Sequence, residues 1–199
     1  KEFNLDRAQK AGAIFDIKKL NWLNARYIKN KTENELLKII KSLYGENIIG
    51  DENLAEKILK IGKNRLEKLS DFPELLNSFQ SAEYEANLLV WPPLGKRRAS
   101  PIVGEKNAPK EKILENLRKT GECLKSILLN EFTQSNLEKY LMPIADTNGR
   151  GEVLWPLRVA LSGKDKSPGP FEIMGIIGKE ETLKRIGLAI KNLELGIRN

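Results

Sequence analysis

The sequence predicts an all-α protein made of two consecutive helical subdomains, a helical bundle or superhelical cage with no sheet of consequence. Apolar residues recur at the three- and four-residue spacing of amphipathic helices along most of the chain. Several of these stripes begin after a Thr, Asp or Pro that suits a helix start, and Gly or Pro follows most of them. The sequence contains no internal repeat and no heptad run long enough for a coiled coil.

The distribution of Pro, Gly and charge divides the chain into four parts. Residues 1–31 are an opening segment, and residues 32–90 are expected to form a first helical subdomain. Residues 91–109 combine prolines, glycines and the basic run Lys96–Arg98 without a sustained period, which indicates a linker. This run is either solvated or in contact with phosphates, and solvation is favoured. Residues 110–199 are expected to form the second subdomain.

Helix starts and stops in the first half follow from local signals. Thr32 to Glu35 has the form of a capping box ahead of an apolar stripe. Asp51 or Asn53 can cap the next helix, and the sequence around Phe72–Pro73 ends it before a short helix that reaches about Phe79. Helical spacing also predicts inward positions in the opening segment and in these helices: Phe15, Leu20, Leu23, Tyr27, Leu36, Ile39, Ile40, Leu43, Leu54, Ile58, Ile61 and Leu66.

The second half begins with a long helix that Pro109 opens, with Ile113, Leu117, Leu124 and Leu128 on one side. Ser135 to Glu138 has the form of another capping box, which predicts a short helix to Leu141. A turn at residues 147–151 precedes three further helices. Gly163 is expected to stop the first of them and Gly178 the second, and the third runs from Lys179 to about Leu195. Their expected inward residues are Leu154, Leu157, Ala160, Leu161, Phe171, Met174, Ile177, Leu183, Ile186 and Ile190.

Composition limits the chemistry that this chain can perform. Charged residues make up 31% and hydrophobic residues 40%, which is typical of a globular chain. The sequence has no His and a single Cys, which excludes His-based triads, CxxC redox sites and the usual zinc ligand sets. Cys123 fits a buried apolar role on its helix. No stretch predicts a membrane span or a secretory signal, so we expect a cytoplasmic location.

The net charge of +7 favours an anionic partner, of which nucleic acid is the commonest, although such a charge also serves solubility. The basic loop, Ser162–Pro170, is a candidate for this contact because it carries Lys164 and Lys166 together with two prolines and two glycines. Pattern alone leaves it open whether this is an ordinary surface loop.

Two stretches of the amino-acid sequence resemble a known protein family. The segments LRVALSG (157–163), SPGPFEI (167–173) and IGKEETLKRI (177–186) resemble the C-terminal anticodon-binding region of bacterial-type, class I glutamyl-tRNA synthetases. The segment AGAIFDIKKLNWLNARYI (11–28) resembles the part of that family that joins the catalytic half to the anticodon-binding half. The resemblance therefore implies that residues 1–31 are the end of a stem-contact or connecting segment. The two matches stand in the family's order, and the resemblance is weakest between about Glu83 and Met142.

The resemblance implies a set of anticodon-reading residues. Arg158, Ser167, Pro168 and Pro170 match positions around the first anticodon base, with some members carrying Thr in place of Ser167 and Leu in place of Pro170. Arg65 matches an arginine that reads the third base, and its donor-only guanidinium suits cytosine better than guanine. Without the resemblance, Arg65 reads as a surface arginine, and Trp22 as a core residue in preference to an RNA contact. Lys63, Lys164 and Lys166 are candidates for phosphate contacts.

The resemblance further implies a tRNA partner, the glutamate isoacceptor, and no catalytic or metal site within this sequence. Lys164–Ser167 is superficially similar to the KMSKS loop of class I synthetases, but the chain predicts no nucleotide-binding sheet and has no His for the companion motif. The aminoacylating site, with ATP and magnesium, is therefore expected N-terminal to Lys1, where the parent's catalytic domain would also be a partner. We expect a monomer. The alternative is a non-catalytic helical module that binds RNA or protein on the same scaffold.

Overall fold

The computed structural model describes residues 15–45, 49–80, 84–90 and 109–198, and every regular element in these ranges is helical. The all-α prediction is therefore confirmed. No helix within these ranges combines the length and the apolar content needed to cross a membrane. The linker, except for Pro109, and the basic run Lys96–Arg98 lie outside the described residues. The α-helices are α1 (Ile17–Lys29), α2 (Glu33–Tyr44), α3 (Glu52–Gly62), α4 (Phe72–Gln80), α5 (Lys110–Ser126), α6 (Gln134–Asn148), α7 (Arg150–Ser162) and α8 (Pro170–Arg198).

The predicted caps of α2 and α3 are confirmed. The hydroxyl of Thr32 accepts from the Glu35 N–H at 3.3 Å, and the Glu35 carboxylate accepts from the Thr32 N–H at 2.8 Å, which completes the capping box. The hydrogen bonds that the Thr32 N–H and the Thr32 hydroxyl donate to the Glu35 carboxylate lower the pKa of Glu35. Asp51, rather than Asn53, caps α3, because its carboxylate accepts from the N–H groups of Asn53 and Leu54.

The exposed face of α1 corrects the prediction for the opening segment. Trp22 does not lie in the core, since 59% of the residue is exposed in this chain. Other apolar residues of the segment that were expected to point inward are exposed with it, and Ile28 is the buried position of α1. The exposed residues that helical spacing had placed inside are Phe15, Leu20, Leu23 and Tyr27.

Two boundaries in the second half also differ from the prediction. Pro109 opens α5 as expected, but α5 ends at Ser126, which leaves Leu128 outside the helix and 63% exposed. The cap of α6 is Thr133 and not Ser135, and no capping box forms there. The helix then continues past Leu141 and through Pro143 to Asn148, because a proline costs a helix one hydrogen bond that tertiary packing can offset.

Glycines separate the last three helices. Gly149, with a φ of 97°, is the single residue between α6 and α7, so the predicted turn is much tighter than five residues. Gly163 ends α7 in the left-handed conformation, as expected. Gly178, with φ 79° and ψ 175°, breaks α8 into residues 170–177 and 179–198, which matches the two helices that the sequence predicted.

One hydrophobic core spans both predicted subdomains. Phe72, Leu76 and Phe79 of α4 belong to the same buried cluster as residues of α5 to α8, which include Leu157 and Met174. Cys123 is half-buried against this cluster, and its burial raises the pKa of its thiol. The boundaries drawn between the subdomains stay a prediction, because the packing runs across them.

Arg185 bonds helix ends on both sides of this core. Its side chain is 5% exposed, and its Nη2 donates to the Phe79 carbonyl at the end of α4 at 2.7 Å. Its Nη1 donates to the Leu161 carbonyl at the end of α7, and its Nε donates to Glu181 at 2.8 Å. Helix ends carry unsatisfied carbonyl groups, so this guanidinium satisfies two of them while it fixes the distance between α4 and α7.

We expect Arg185→Met to destabilise the protein by about 3 kcal/mol, because the change leaves two buried carbonyl groups without their donor and Glu181 with Lys184 alone. Denaturant unfolding measures this change. Arg118→Met is the matched control, since Arg118 forms an ion pair with Glu194 but is 56% exposed; we expect it to cost under about 1 kcal/mol. Equal losses for the two variants would contradict the role given to Arg185.

We expect Gly178→Ala to cost about 2 kcal/mol, because the φ and ψ of Gly178 lie in a region that is strained for any residue with a Cβ. The space around Gly178 is open, so a clash would not be the cause. Gly187→Ala, within the regular part of α8 and also in open space, should stabilise by about 1 kcal/mol through higher helix propensity. Thermal unfolding of both variants shows whether the signs are opposite.

Candidate nucleic-acid interface

The basic loop is anchored at its beginning by the last residue of α7. Ser162 is buried, and its hydroxyl donates to the Arg158 carbonyl at 2.8 Å and accepts from the Lys164 N–H at 3.2 Å. These bonds add to the left-handed turn at Gly163, so the chain leaves α7 in a defined direction. The beginning of the loop is thus fixed by local geometry.

Arg158, one helical turn before the end of α7, donates a hydrogen bond to the middle of the basic loop. Its Nη2 donates to the Asp165 carbonyl at 2.9 Å, and its guanidinium lies 4.6 Å from the centroid of the Trp155 ring. Burial lowers the pKa of Arg158; nearby Asp165 raises it, and Arg65 lowers it further. Its buried Nε has no hydrogen-bond acceptor among the described residues. The side chain therefore retains a donor that a bound acceptor could satisfy.

Arg65 approaches the end of the loop from the other half of the chain. It ends a short 3₁₀ turn (Lys63–Arg65) that follows α3, and its side chain is 48% exposed. Its Nη2 donates to the Glu172 carboxylate at 2.9 Å. The same carboxylate oxygen accepts from the Gly169 N–H at 2.6 Å. Arg65 and the end of the basic loop thus share one acceptor.

The two arginines line one cavity of about 650 Å³ between α4 and the basic loop. Of the residues that the resemblance assigned to the anticodon, this cavity brings together four: Arg65, Arg158, Ser167 and Pro168. Lys166 also lines it, as do Glu67, Asp71, Glu74 and Asp165. The site is therefore polar and carries both signs of charge, with guanidinium and hydroxyl donors at its two ends.

The two predicted prolines, Pro168 and Pro170, present less free surface to the site than expected. Pro170 lines a separate cavity of about 370 Å³ beside Trp155, although Arg158 lies between the two cavities and lines both. Pro168 and Pro170 are buried, so they present little of the free ring surface that was expected of them. The Ser167 hydroxyl donates to the Pro168 carbonyl at 3.1 Å.

The three candidate phosphate-binding lysines also differ from one another. Lys166 is exposed, and Lys164 is half-buried. Lys63 lies away from the large cavity, where it pairs with Glu33 at 2.9 Å and donates to the Lys31 carbonyl at 3.1 Å. The hydrogen bond from Lys63 lowers the pKa of Glu33. Much of the charge of Lys63 is therefore balanced within the protein.

Two features near Arg65 escaped the sequence reasoning. Exposed Trp22 lines a further cavity of about 330 Å³ with Lys18, Lys29 and Arg65, and the Arg26 guanidinium lies 5.7 Å from the centroid of its ring. The basic residues at helical spacing around Trp22 were the available signal. The contact between Glu172 and Arg65 had no such signal, because the two residues are far apart in the sequence.

Comparison with known proteins places this chain in a family. Residues 33–190, more than half of the chain, match the model of a family described as anticodon binding domain. The chain is 35% identical over 202 residues to a glutamate–tRNA ligase from Clostridium kluyveri, with 97% of this chain and 37% of the relative covered. It is 32% identical over 195 residues to glutamate–tRNA ligase 2 from Thermoanaerobacter pseudethanolicus, with 96% and 38% covered.

Solved structures give the same relationship. The crystal structure of a glutamate tRNA ligase from Elizabethkingia meningosepticum, in complex with its amino acid, is similar with a TM-score of 0.71 and 27% identity. The match covers 96% of this chain and 36% of that one. The chain thus spans little more than a third of the length of these relatives, and the predicted resemblance to glutamyl-tRNA synthetases is confirmed. The chain belongs to the anticodon binding domain family, in the form found in glutamate–tRNA ligases.

Proposed function

We propose that this chain binds glutamate tRNA through its anticodon, as the anticodon-binding part of a glutamate–tRNA ligase. The observation that carries the proposal is the convergence of Arg65 and Arg158 on one cavity from distant parts of the sequence. Its volume of about 650 Å³ lies in the range of cavities that hold drug-sized ligands, so splayed bases have room there.

Arg65 would read the third anticodon base. A guanidinium carries only donors, which pair with the O2 and N3 acceptors of cytosine but oppose the N–H donors of guanine. One Nη of Arg65 is held by Glu172, which restricts the directions in which the remaining donors point. Since glutamate and glutamine tRNAs differ at this base, Arg65 would favour the glutamate tRNA.

Arg158 and Ser167 would read the first anticodon base. The Arg158 Nε is a buried donor that a base carbonyl could satisfy, and the Ser167 hydroxyl can donate or accept. Because Pro168 and Pro170 are buried, we assign them to the packing of the basic loop in place of direct stacking. They would act by keeping Ser167 in position.

Phosphate contacts would come from exposed lysines around the cavity. Lys166 lines it, while Lys57 and Lys60 are exposed on α3, the helix that leads to Arg65. Such contacts add affinity without base preference and weaken with salt. Lys63 contributes less, because Glu33 already balances its charge.

Aminoacylation, with ATP and magnesium, would belong to the part of the ligases that this chain does not match. The relatives are named as ligases, hence enzymes, and we propose that this chain contributes binding alone to such an enzyme. A cytoplasmic, monomeric protein that contacts its own catalytic domain fits this proposal. The competing hypothesis is a module that binds RNA in general, or protein, on the same scaffold. The first test below distinguishes this module from the proposed function.

We expect this chain to bind a glutamate tRNA transcript more tightly than the same transcript with the third anticodon base changed from C to G, by about 1 to 3 kcal/mol. Arg65→Gln should remove this preference, because it deletes the donors that distinguish the bases. Fluorescence anisotropy at two salt concentrations measures the affinities.

Arg118→Gln is the control for Arg65→Gln, since it removes an equally exposed, Glu-paired arginine that lines none of the cavities described. It should retain the preference for C. Equal binding of both transcripts by the unchanged chain, with sensitivity to salt alone, would support a general RNA-binding module; no binding at all would support a protein-binding one.

Lys166→Gln tests the phosphate contacts separately. We expect it to weaken binding of both transcripts by the same factor and to reduce the slope of log affinity against log salt by about 1, while the preference for C stays unchanged. A changed base preference would show instead that Lys166 contacts a base.

A further inference from the structure

We propose that Glu172 is a positioning residue on which recognition of the first and of the third anticodon base both depend. The inference rests on the proposed function and extends it to a residue that touches neither base. Its basis is the single carboxylate oxygen that accepts from Arg65 and from Gly169.

The position of Glu172 explains how one side chain reaches both groups. Glu172 lies in the first turn of α8, where its carboxylate accepts from the Gly169 N–H just before the helix, as acidic residues do in capping boxes. The same oxygen accepts from the Nη2 of Arg65 at 2.9 Å. The Glu172 side chain is only 24% exposed, which limits the competition from water.

On the side of Arg65, the carboxylate supplies orientation. Arg65 ends a short 3₁₀ turn and is half exposed, so its long side chain would otherwise occupy many rotamers. A guanidinium bonded at one Nη is held in a plane with its other donors available, and such preorganisation raises the selectivity of a base contact.

On the side of the loop, the carboxylate fixes the backbone that carries Ser167. Gly169 approaches Glu172 closely, since a Cβ built on Gly169 would lie 3.3 Å from the carboxylate oxygen. The Ser167 hydroxyl in turn bonds to the Pro168 carbonyl, one residue before Gly169. A shift of Glu172 would therefore move Arg65 and the end of the basic loop together.

The hydrogen bonds to Glu172 also reduce the capacity of its carboxylate to accept further hydrogen bonds. A free carboxylate accepts hydrogen bonds and would attract the N–H donors of guanine, which is the wrong third base for a glutamate tRNA. Arg65 and the Gly169 N–H both donate to one oxygen of the Glu172 carboxylate. That oxygen therefore has less capacity to accept from a third base, while the guanidinium of Arg65 keeps further donors for it.

The experiment measures two binding ratios for each variant of the full chain with unmodified tRNA transcripts: C over G at the third anticodon base, and the native base over A at the first. We expect the unchanged chain to show a third-base ratio of about tenfold. Glu172→Gln should lower both ratios at least threefold, because a neutral amide oxygen accepts more weakly than a carboxylate from Arg65 and from the Gly169 N–H. In the Arg65→Gln background, Glu172→Gln should lower the first-base ratio alone.

Glu194→Gln is the matched control, because the Glu194 carboxylate also forms an ion pair with an exposed arginine, Arg118, but lines none of the cavities described. It should leave both ratios unchanged. Unfolding midpoints of both variants, compared with the unchanged chain, separate lost stability from lost selectivity, since global destabilisation lowers affinity for every transcript without changing a ratio.

Each outcome of this experiment supports or contradicts either the role of Glu172 or the proposed function. If the unchanged chain discriminates but Glu172→Gln keeps both ratios or lowers only one of them, or if Glu194→Gln lowers them equally, the role of Glu172 is wrong while the proposed function stands. If the unchanged chain binds all of the transcripts with equal affinity, so that both ratios are one, the proposed function itself fails.

Discussion

The buried guanidinium of Arg185 determines where the candidate site lies, because it binds a carbonyl at the end of α4 and another at the end of α7. The basic loop begins one residue after that bond to α7, and α4 packs on α3, which leads to Arg65. A planar fork with fixed donors holds two helix ends at one distance more strictly than apolar contacts can. The cavity between Arg65 and the loop is therefore a consequence of core geometry as well as of surface chemistry.

Local signals in the sequence were sufficient for most helix boundaries around the site. Thr32 and Asp51 cap as expected because capping depends on residues within one turn. Gly163 and Gly178 end helices because their positive φ is unfavourable for other residues. The approximate place of the basic loop follows from these signals alone, and the family resemblance added the residues with which it would read bases.

Other features depend on packing that a linear pattern does not contain. Thr133 and Ser135 are both good caps, and tertiary contacts select the first. Pro143 stays inside α6 because the helix is buried along Leu137, Leu141 and Ala145. Trp22 has the spacing of a core residue, yet no element of the described chain covers it. The hydrogen bond between Arg65 and Glu172 could not be predicted from the sequence pattern either, since it joins residues more than a hundred positions apart.

The core that α4 shares with α5 to α8 has a consequence for how such a chain can evolve. Neither half retains a complete hydrophobic interior without the other, because Phe72, Leu76 and Phe79 pack into the same cluster as Leu157 and Met174. Recombination that exchanged only one half would place mismatched side chains across this interior. The two ends of the candidate site are therefore inherited as a unit, and a change in the site must arise by point substitutions within it.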